Sequence, residues 1–497
     1  MELLQLGINV VFVPSTLILI FFGTVIGVIF GALPGVSASM AVVLGLPFTY
    51  GMDPVTAIAF LVAVYCASIT GGGITAILFK IPGTPAAAAT TFDGFPMVAS
   101  GQPMRALSIQ LFCSALGGIF AAIAMFLISP QLSTLALKFG PSELFAVSFM
   151  GLSILSALDE GNIVKTLISG LLGLWLATIG MDPIQGNARF TWGSSTLLSG
   201  IEMIPIMIGL FAITQILKET KQRSKLESVE AAKATKDDRL VSIKEMWSMK
   251  ATILRSAILG TAVGILPGAG ATIASFLAYT TEVKLAKDPE TYGKGNPNGI
   301  AAPETANNAA TGGSMVPLLS LGIPGGNAAA IMMSALVLKG VQMGPLLLQN
   351  QPEYLSAVFV SMTVTNIIMV FVALVVARVF SKILAIPYSI LGVVIMLLAT
   401  VGSYATLNST GDVLLMVIAG IFGYFFSKFG FNNAALILGL VLGGIIESNL
   451  RRAIMIEQGN ILPVFTKPIT AIIMVISIVT LVWPLIKPLI SKNQEAV

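Results

Sequence analysis

Residues 31–40 read GALPGVSASM, and residues 264–273 read GILPGAGATI. Around them Gly27, Gly31, Leu33, Pro34, Gly35, Ala38 and Ala41 pair with Gly260, Gly264, Leu266, Pro267, Gly268, Ala271 and Ala274 at a constant offset of 233 (264 − 31). A Pro-Gly pair inside an apolar run ends or breaks a helix. Lipid tolerates no unpaired backbone, so each break must face protein or a water-filled cavity. Two equivalent breaks in two halves of a chain point to the binding site of a transporter.

Composition sets the same context. The 497 residues are 56% hydrophobic and only 10% charged, with mean hydropathy +0.92. Soluble domains carry about 25% charged residues, so this chain belongs in a bilayer. The fold class expected is an all-α polytopic membrane protein, with about 10–12 transmembrane helices plus re-entrant or broken helices in two inverted repeats. Glycine at 49 and proline at 25 suit broken helices. Cys66 and Cys113 lie in apolar surroundings and read as small buried hydrophobes. No histidine is present, so any proton coupling must use carboxylates. The opening MELLQLG carries no positive charge and no cleavage pattern follows, so the first segment is expected to stay as a membrane helix.

Residues 1–217 read as the first membrane repeat, 218–250 as a polar linker, 251–450 as the second repeat, and 451–497 as a C-terminal loop with a last transmembrane helix. The linker holds Lys218, Lys221, Arg223, Lys225, Lys233, Lys236, Arg239, Lys244 and Lys250 among six acids, which places it on the cytoplasmic side and gives nucleic acid no role. Residues 182–193 read as an aqueous-side turn with an interfacial aromatic. A second pair of motifs follows the first in each half. Thr70-Gly71-Gly72 matches Thr311-Gly312-Gly313, and Ile81-Pro82-Gly83 matches Ile323-Pro324-Gly325 with one residue inserted between. The glycine runs are expected to interrupt the apolar pieces into half-helices. Four motifs in one order indicate an internal duplication.

The residues around the breaks are hydroxyls, amides and glycines. Those expected to bind substrate are Ser37, Ser39, Thr70, Gly71, Gly72, Gly83, Thr84, Gly270, Thr272, Thr311, Gly312, Gly313, Gly325, Gly326 and Asn327. Half-helix N-termini hold a carboxylate without an arginine. Ser68, Thr70, Gly73, Asn307, Asn308, Thr311 and Ser314 are expected to offer oxygens to sodium. For Gly27, Gly31, Gly260 and Gly264 close helix packing is the favoured reading. Lys80 reads either as a functional charge or as one that snorkels to the interface. Asp53, Asp93, Glu304 and Lys339 read mostly as aqueous-side turn residues, and Asp412, Glu447, Arg451 and Arg452 as ordinary span ends. No catalytic constellation, resident cofactor or phosphate loop emerges, so the chain does not read as an enzyme.

At GALPGVSASMA, SITGGGITAILFKIPGTPAAAATTFDGFPM, ISGLLGLWLATIGMDPIQGNARFTWG, GILPGAGATIASFLAY, APETANNAATGGSMVPLLSLGIPGGNAAAIMMSAL and LLLQNQPEYL, the chain resembles the large membrane subunit of the tripartite tricarboxylate transporters, the TctA family. The resemblance covers most of residues 10–450. It implies a multi-pass permease of the bacterial inner membrane, a small four-helix membrane subunit and a periplasmic substrate-binding protein as partners, and symport of small di- or tricarboxylates such as citrate with an ion, sodium in the typical case. The alternatives are a proton-coupled carrier using Asp53, Asp93 or Glu304, and a passive anion channel or scaffold subunit. The repeats depart from each other at Gly73 and Ser314, and at Lys80 and Leu321, so their roles at one shared site would differ.

Overall fold

The computed structural model describes residues 2–494 except 158–162, 183, 195, 222–237, 267–269 and 385–387. The first half holds α1 Glu2–Val11, α2 Pro14–Ala32, α3 Ala38–Thr49 and α4 Pro54–Phe79, a 3-10 turn at Pro85–Ala87, then α5 Thr91–Ala99, α6 Pro103–Ala136, α7 Pro141–Ala157 and α8 Ile163–Ala177. A two-residue ribbon, β1 Gly180–Met181 against β2 Ala188–Arg189, precedes α9 Met203–Ile208, a π turn at Gly209–Ile213 and α10 Thr214–Lys221. The second half runs through α11 Ile243–Ser248, α12 Lys250–Ile265, α13 Gly270–Leu285, α14 Pro297–Leu321, α15 Asn327–Leu338, α16 Leu347–Asn350 and α17 Pro352–Leu384. It closes with α18 Tyr388–Leu407, α19 Thr410–Lys428, α20 Asn433–Ile456, α21 Leu462–Thr466 and α22 Pro468–Gln494. Among the described residues six helices are long and apolar enough to cross a membrane: α2, α4, α6, α17, α19 and α20.

The Pro-Gly break makes a hairpin. Leu33 caps α2 in an extended conformation, Gly35 takes φ +85°, and Ser37 starts α3 by accepting from the Met40 N–H at 3.1 Å. On the hairpin's first arm Gly23, Gly27 and Gly31 face Phe60, Val64 and Ser68 in turn, so α2 runs parallel to α4 and α3 returns to the face it came from. The second copy does the same. Gly260 and Gly264 face Ala306 and Ala310 of α14, while Thr252 near the start of α12 donates to Glu282 near the end of α13 at 3.0 Å. Pro267 and Gly268 themselves lie outside the described residues.

The expected interruption at Thr70–Gly73 is absent. Helix α4 runs unbroken from Pro54 through Phe79, and α14 likewise from Pro297 through Leu321 across Thr311–Ser314. Both start on a side-chain cap followed by proline, Asp53-Pro54 and Asn296-Pro297. Inside the packed core the intrahelical bond is the backbone's available partner, and each glycine's helical penalty is outweighed by the close contact it permits. Gly71 lies against the Val28 carbonyl, Gly312 against Ala121, and Gly313 against Gly264 and the Thr261 carbonyl.

What does break α4 and α14 is the Ile-Pro-Gly motif. Lys80 caps α4 in the left-handed region at φ 57°, and Gly322 caps α14 at φ 71°. In both, the isoleucine N–H reaches back six residues, Ile81 to the Thr75 carbonyl and Ile323 to that of Pro317, the bond of a Schellman cap. The geometry therefore matches Lys80 to Gly322 rather than to Leu321. The extra residue of the second half lies in the last turn of α14.

Helices α4 and α14 cross antiparallel at the centre. Tyr65 meets Ser314, Cys66 meets Thr311, Thr70 meets Asn308, and Gly73 faces Glu304. Equivalent helices running in opposite directions are what inverted repeats require. The halves also interlock: α6 of the first packs along α14, and α17 of the second packs along α4.

Candidate ion- and substrate-binding site

After each Schellman cap the chain folds back along the helix it has just left. The Gly83 N–H donates to the Gly72 carbonyl at 3.1 Å, and Gly83 also sits against the Gly31 carbonyl and Thr75. Gly325 likewise meets Ser314 and the Gly264 carbonyl. Three motifs spread over some fifty residues in the first half and some sixty in the second thus converge, hairpin glycine, glycine run and return loop, into one backbone-on-backbone cluster. A side chain on Gly72 would strike Thr84, whose buried hydroxyl has no hydrogen-bond partner among the described residues.

The return loops also join the halves. In the first, Pro85–Ala87 packs against α13, and the Ala86 carbonyl accepts from Asn307 Nδ2 at 3.3 Å. In the second, α15 packs along α3. Their C-terminal ends share a cavity of about 300 Å³ lined by Thr49, Tyr50, Leu338 and Lys339. Both are 12 residues long and start at Ala38, which is buried, and at Asn327, which is half-buried. A helix N-terminus offers free N–H groups and a positive dipole end to an anion.

The polar core is a chain of buried contacts. Thr70 Oγ1 donates to Asn308 Oδ1 at 2.8 Å, and Asn308 Nδ2 donates to Asn307 Oδ1 at 2.7 Å and to the Glu304 carbonyl at 3.2 Å. Thr311 donates to the Asn308 carbonyl, and Ser314 to that of Thr311. Ser68 is turned away, donating to the Tyr65 carbonyl at 2.8 Å. Ser39, Gly270 and Thr272 are half-buried near the two hairpin tips, and Gly270 and Gly326 have open space where a side chain would stand. Ser37 lines a separate cavity of about 460 Å³ with Gly35, Gln215, Lys218, Asn432 and Asn433.

Two carboxylates expected at aqueous turns are wholly buried instead. Asp93 is a clamp between the halves. Its Oδ1 accepts from the Lys294, Gly295 and Asn296 N–H groups at 3.2, 3.0 and 2.8 Å, and its Oδ2 from Tyr279 at 3.0 Å. Glu304 lies at the crossing itself, accepting from Thr90 Oγ1 at 2.5 Å, Ser114 Oγ at 2.9 Å and Gln110 Nε2 at 3.3 Å. Thr90, Gln110 and Ser114 did not stand out in the sequence. A lone amide in the apolar run of α6 was the available signal for Gln110.

Asp53 stays at a helix end. Burial pushes its carboxyl up, but the Thr56 side chain and the Thr56 and Val55 N–H groups outweigh this and hold it below the usual range. Lys80 is exposed, 5.7 Å from the Phe95 ring, and Lys339 donates to the Met52 carbonyl. Glu447 and Arg451 are not isolated span ends. They form a charged cluster with Arg189 and Asp182 of the β1–β2 ribbon, in which Arg451 lies 2.5 Å from Asp182 and Arg189 pairs with Glu447. No group of three or more metal-ligating acids or cysteines occurs among the described residues.

Comparison with known proteins agrees with this architecture. Residues 17–438 match the family model described as "Tripartite tricarboxylate transporter TctA family". The chain is 34% identical over 502 residues to an uncharacterized 52.8 kDa protein of the TAR-I ttuC' 3' region of Agrobacterium vitis, covering 99% of this chain and 97% of that protein. An uncharacterized protein of the TAR-II ttuC' 3' region of the same organism is 36% identical over 236 residues, 48% of this chain and 98% of its own length.

Proposed function

The chain belongs to the tripartite tricarboxylate transporter TctA family, and on that premise we propose that it is the permease subunit of a cation-driven carboxylate symporter. The family is one of tripartite transporters, so the chain works with other subunits. We take these to be a small four-helix membrane protein and a periplasmic protein that delivers a small di- or tricarboxylate such as citrate to the inner membrane.

The observation that carries this reading is the pair of inverted hairpins whose glycines Gly31 and Gly264 pack against α4 and α14 beside their antiparallel crossing. Such a frame fits alternating access, in which one portion moves past the other around a central site. The N-termini of α3 and α15 supply donors for the substrate carboxylates. The oxygens of Thr70, Asn307, Asn308, Thr311 and Ser314 lie at the same crossing, and a sodium ion carried with the substrate would meet them there. A passive channel would instead need like groups repeated along a continuous pore.

The test is uptake of labelled di- and tricarboxylates into proteoliposomes holding the complete complex and its binding protein. A sodium gradient alone should drive accumulation. Equal, non-accumulating flux in either direction would identify a channel and overturn the proposal, while accumulation driven only by a proton gradient would overturn its choice of ion.

A further inference from the structure

We propose that Glu304 is the carboxylate of a monovalent-cation site completed by Gln110, Ser114, Thr90 and the main-chain carbonyl of Thr70. This rests on the reading above that a cation drives transport, and it adds to the oxygens named there a carboxylate site one turn back along α14 from Asn308.

Glu304 is completely buried, and its side-chain partners are neutral donors: two hydroxyls and an amide. Among the described residues no ion pair reaches it. On the elements packed against α14, Arg105 of α6 is paired with Glu245, Arg255 of α12 is paired with Glu282, and Asp93 of α5 is already held by three N–H groups and Tyr279. An ionised carboxylate buried without a counter-ion loses its hydration with nothing to replace it. A purely structural position would serve as well with glutamine.

Gln110 supplies the second observation. Its Nε2 donates both to the Thr70 carbonyl at 2.8 Å and to Glu304 at 3.3 Å, while its Oε1, in a residue with no exposure at all, has no partner. Turning the amide over costs no volume. It would bring Oε1 into the position between the Thr70 carbonyl and Glu304, with Ser114 alongside. Oxygens gathered that way repel one another unless a cation sits among them, and a hard monovalent ion accepts this mixture of carboxylate, amide, carbonyl and hydroxyl. Gly73 leaves the space: a side chain there would come within 2.6 Å of Gln110 Nε2 and 2.8 Å of Glu304 Oε1. Thr90 follows the return loop of the first half, whereas Glu304 belongs to the second. Occupancy of the site thus bears directly on how the halves hold together.

Sodium and a proton share this chemistry, and the experiment separates them. The purified full-length protein is heated in detergent across a sodium chloride series balanced with choline chloride, and again across a pH series without sodium. The wild type should show a saturable rise in melting temperature, with sodium if sodium is the ligand or with acid if the proton is. Glu304→Gln should lose it. Ser114→Ala, which keeps the carboxylate, should raise the half-saturating concentration by about tenfold. The same cation dependence in Glu304→Gln as in wild type, or none in wild type, overturns the site. Substrate counterflow by the reconstituted wild-type complex is read separately. Its absence would refute the transport reading while leaving the cation site standing.

Discussion

Thr70 and Asn308 join the two halves of the molecule side chain to side chain, the threonine hydroxyl donating to the amide oxygen at 2.8 Å where neither residue is exposed. Thr70→Val removes the donor at nearly constant volume and leaves Asn308 Oδ1 buried without it. The expected loss is about 1–3 kcal/mol of stability. Thr70→Ser keeps the hydroxyl and should keep most of the stability. Thermal unfolding of both variants checks this, and equal melting temperatures for valine and wild type would show that the bond contributes nothing.

Lys80 occupies a backbone conformation that glycine occupies in the other half. A non-glycine residue at φ 57° carries a penalty of about 1 kcal/mol. The exposed ammonium near Phe95 returns only about 0.5 kcal/mol. Lys80→Gly should therefore raise the melting temperature slightly with transport unchanged. Uptake that collapses in this variant would mean the charge itself is used.

Much of the frame was legible in the sequence because proline and glycine encode chain breaks locally. The Leu-Pro-Gly and Ile-Pro-Gly motifs mark real ends of helices at Leu33 and Lys80. The run Thr70–Gly73 was not readable in the same way. A glycine that ends a helix and one that admits a neighbour look identical until the neighbour, here Val28 or Gln110, is placed. Glu304 was named from the sequence as a candidate proton carrier, but its burial was hidden for a related reason. Helix α14 carries Glu304, Asn307, Asn308, Thr311 and Ser314, so it falls outside the six helices apolar enough to read as spans. Its burial depends on Ser114 and Thr90, 190 and 214 residues away, which no local pattern reports.

Gly31 and Gly51 set packing against exposure within one chain. Gly31 lies in a helix, where alanine would gain about 1 kcal/mol from propensity alone. Its Cβ, however, would collide with the backbone of Ser68, and a forced shift of two packed helices costs about 1–3 kcal/mol or more. Gly31→Ala should be destabilising on balance. At Gly51 no atom lies within 4 Å of a Cβ, so alanine there should stay within about 0.5 kcal/mol of wild type. Comparable melting temperatures for the two variants would refute the close approach of α2 to α4.

Asp182 should make stability respond to acid. A hydrogen bond from Arg451 and two more from the Gln185 and Ile184 N–H groups hold its carboxyl well below the usual carboxylate range. A group whose folded value is depressed contributes stability above its unfolded value, near 3.8, and loses it as pH falls toward the folded value. Asp182→Asn keeps the shape but removes the charge that Arg451 and Arg189 face. Its melting temperature should lie below that of wild type at neutral pH, and the gap should stay constant until about pH 4, then narrow with further acid. A gap independent of pH down to the lowest value the protein survives would show that the cluster acts through packing and not through the charge of Asp182.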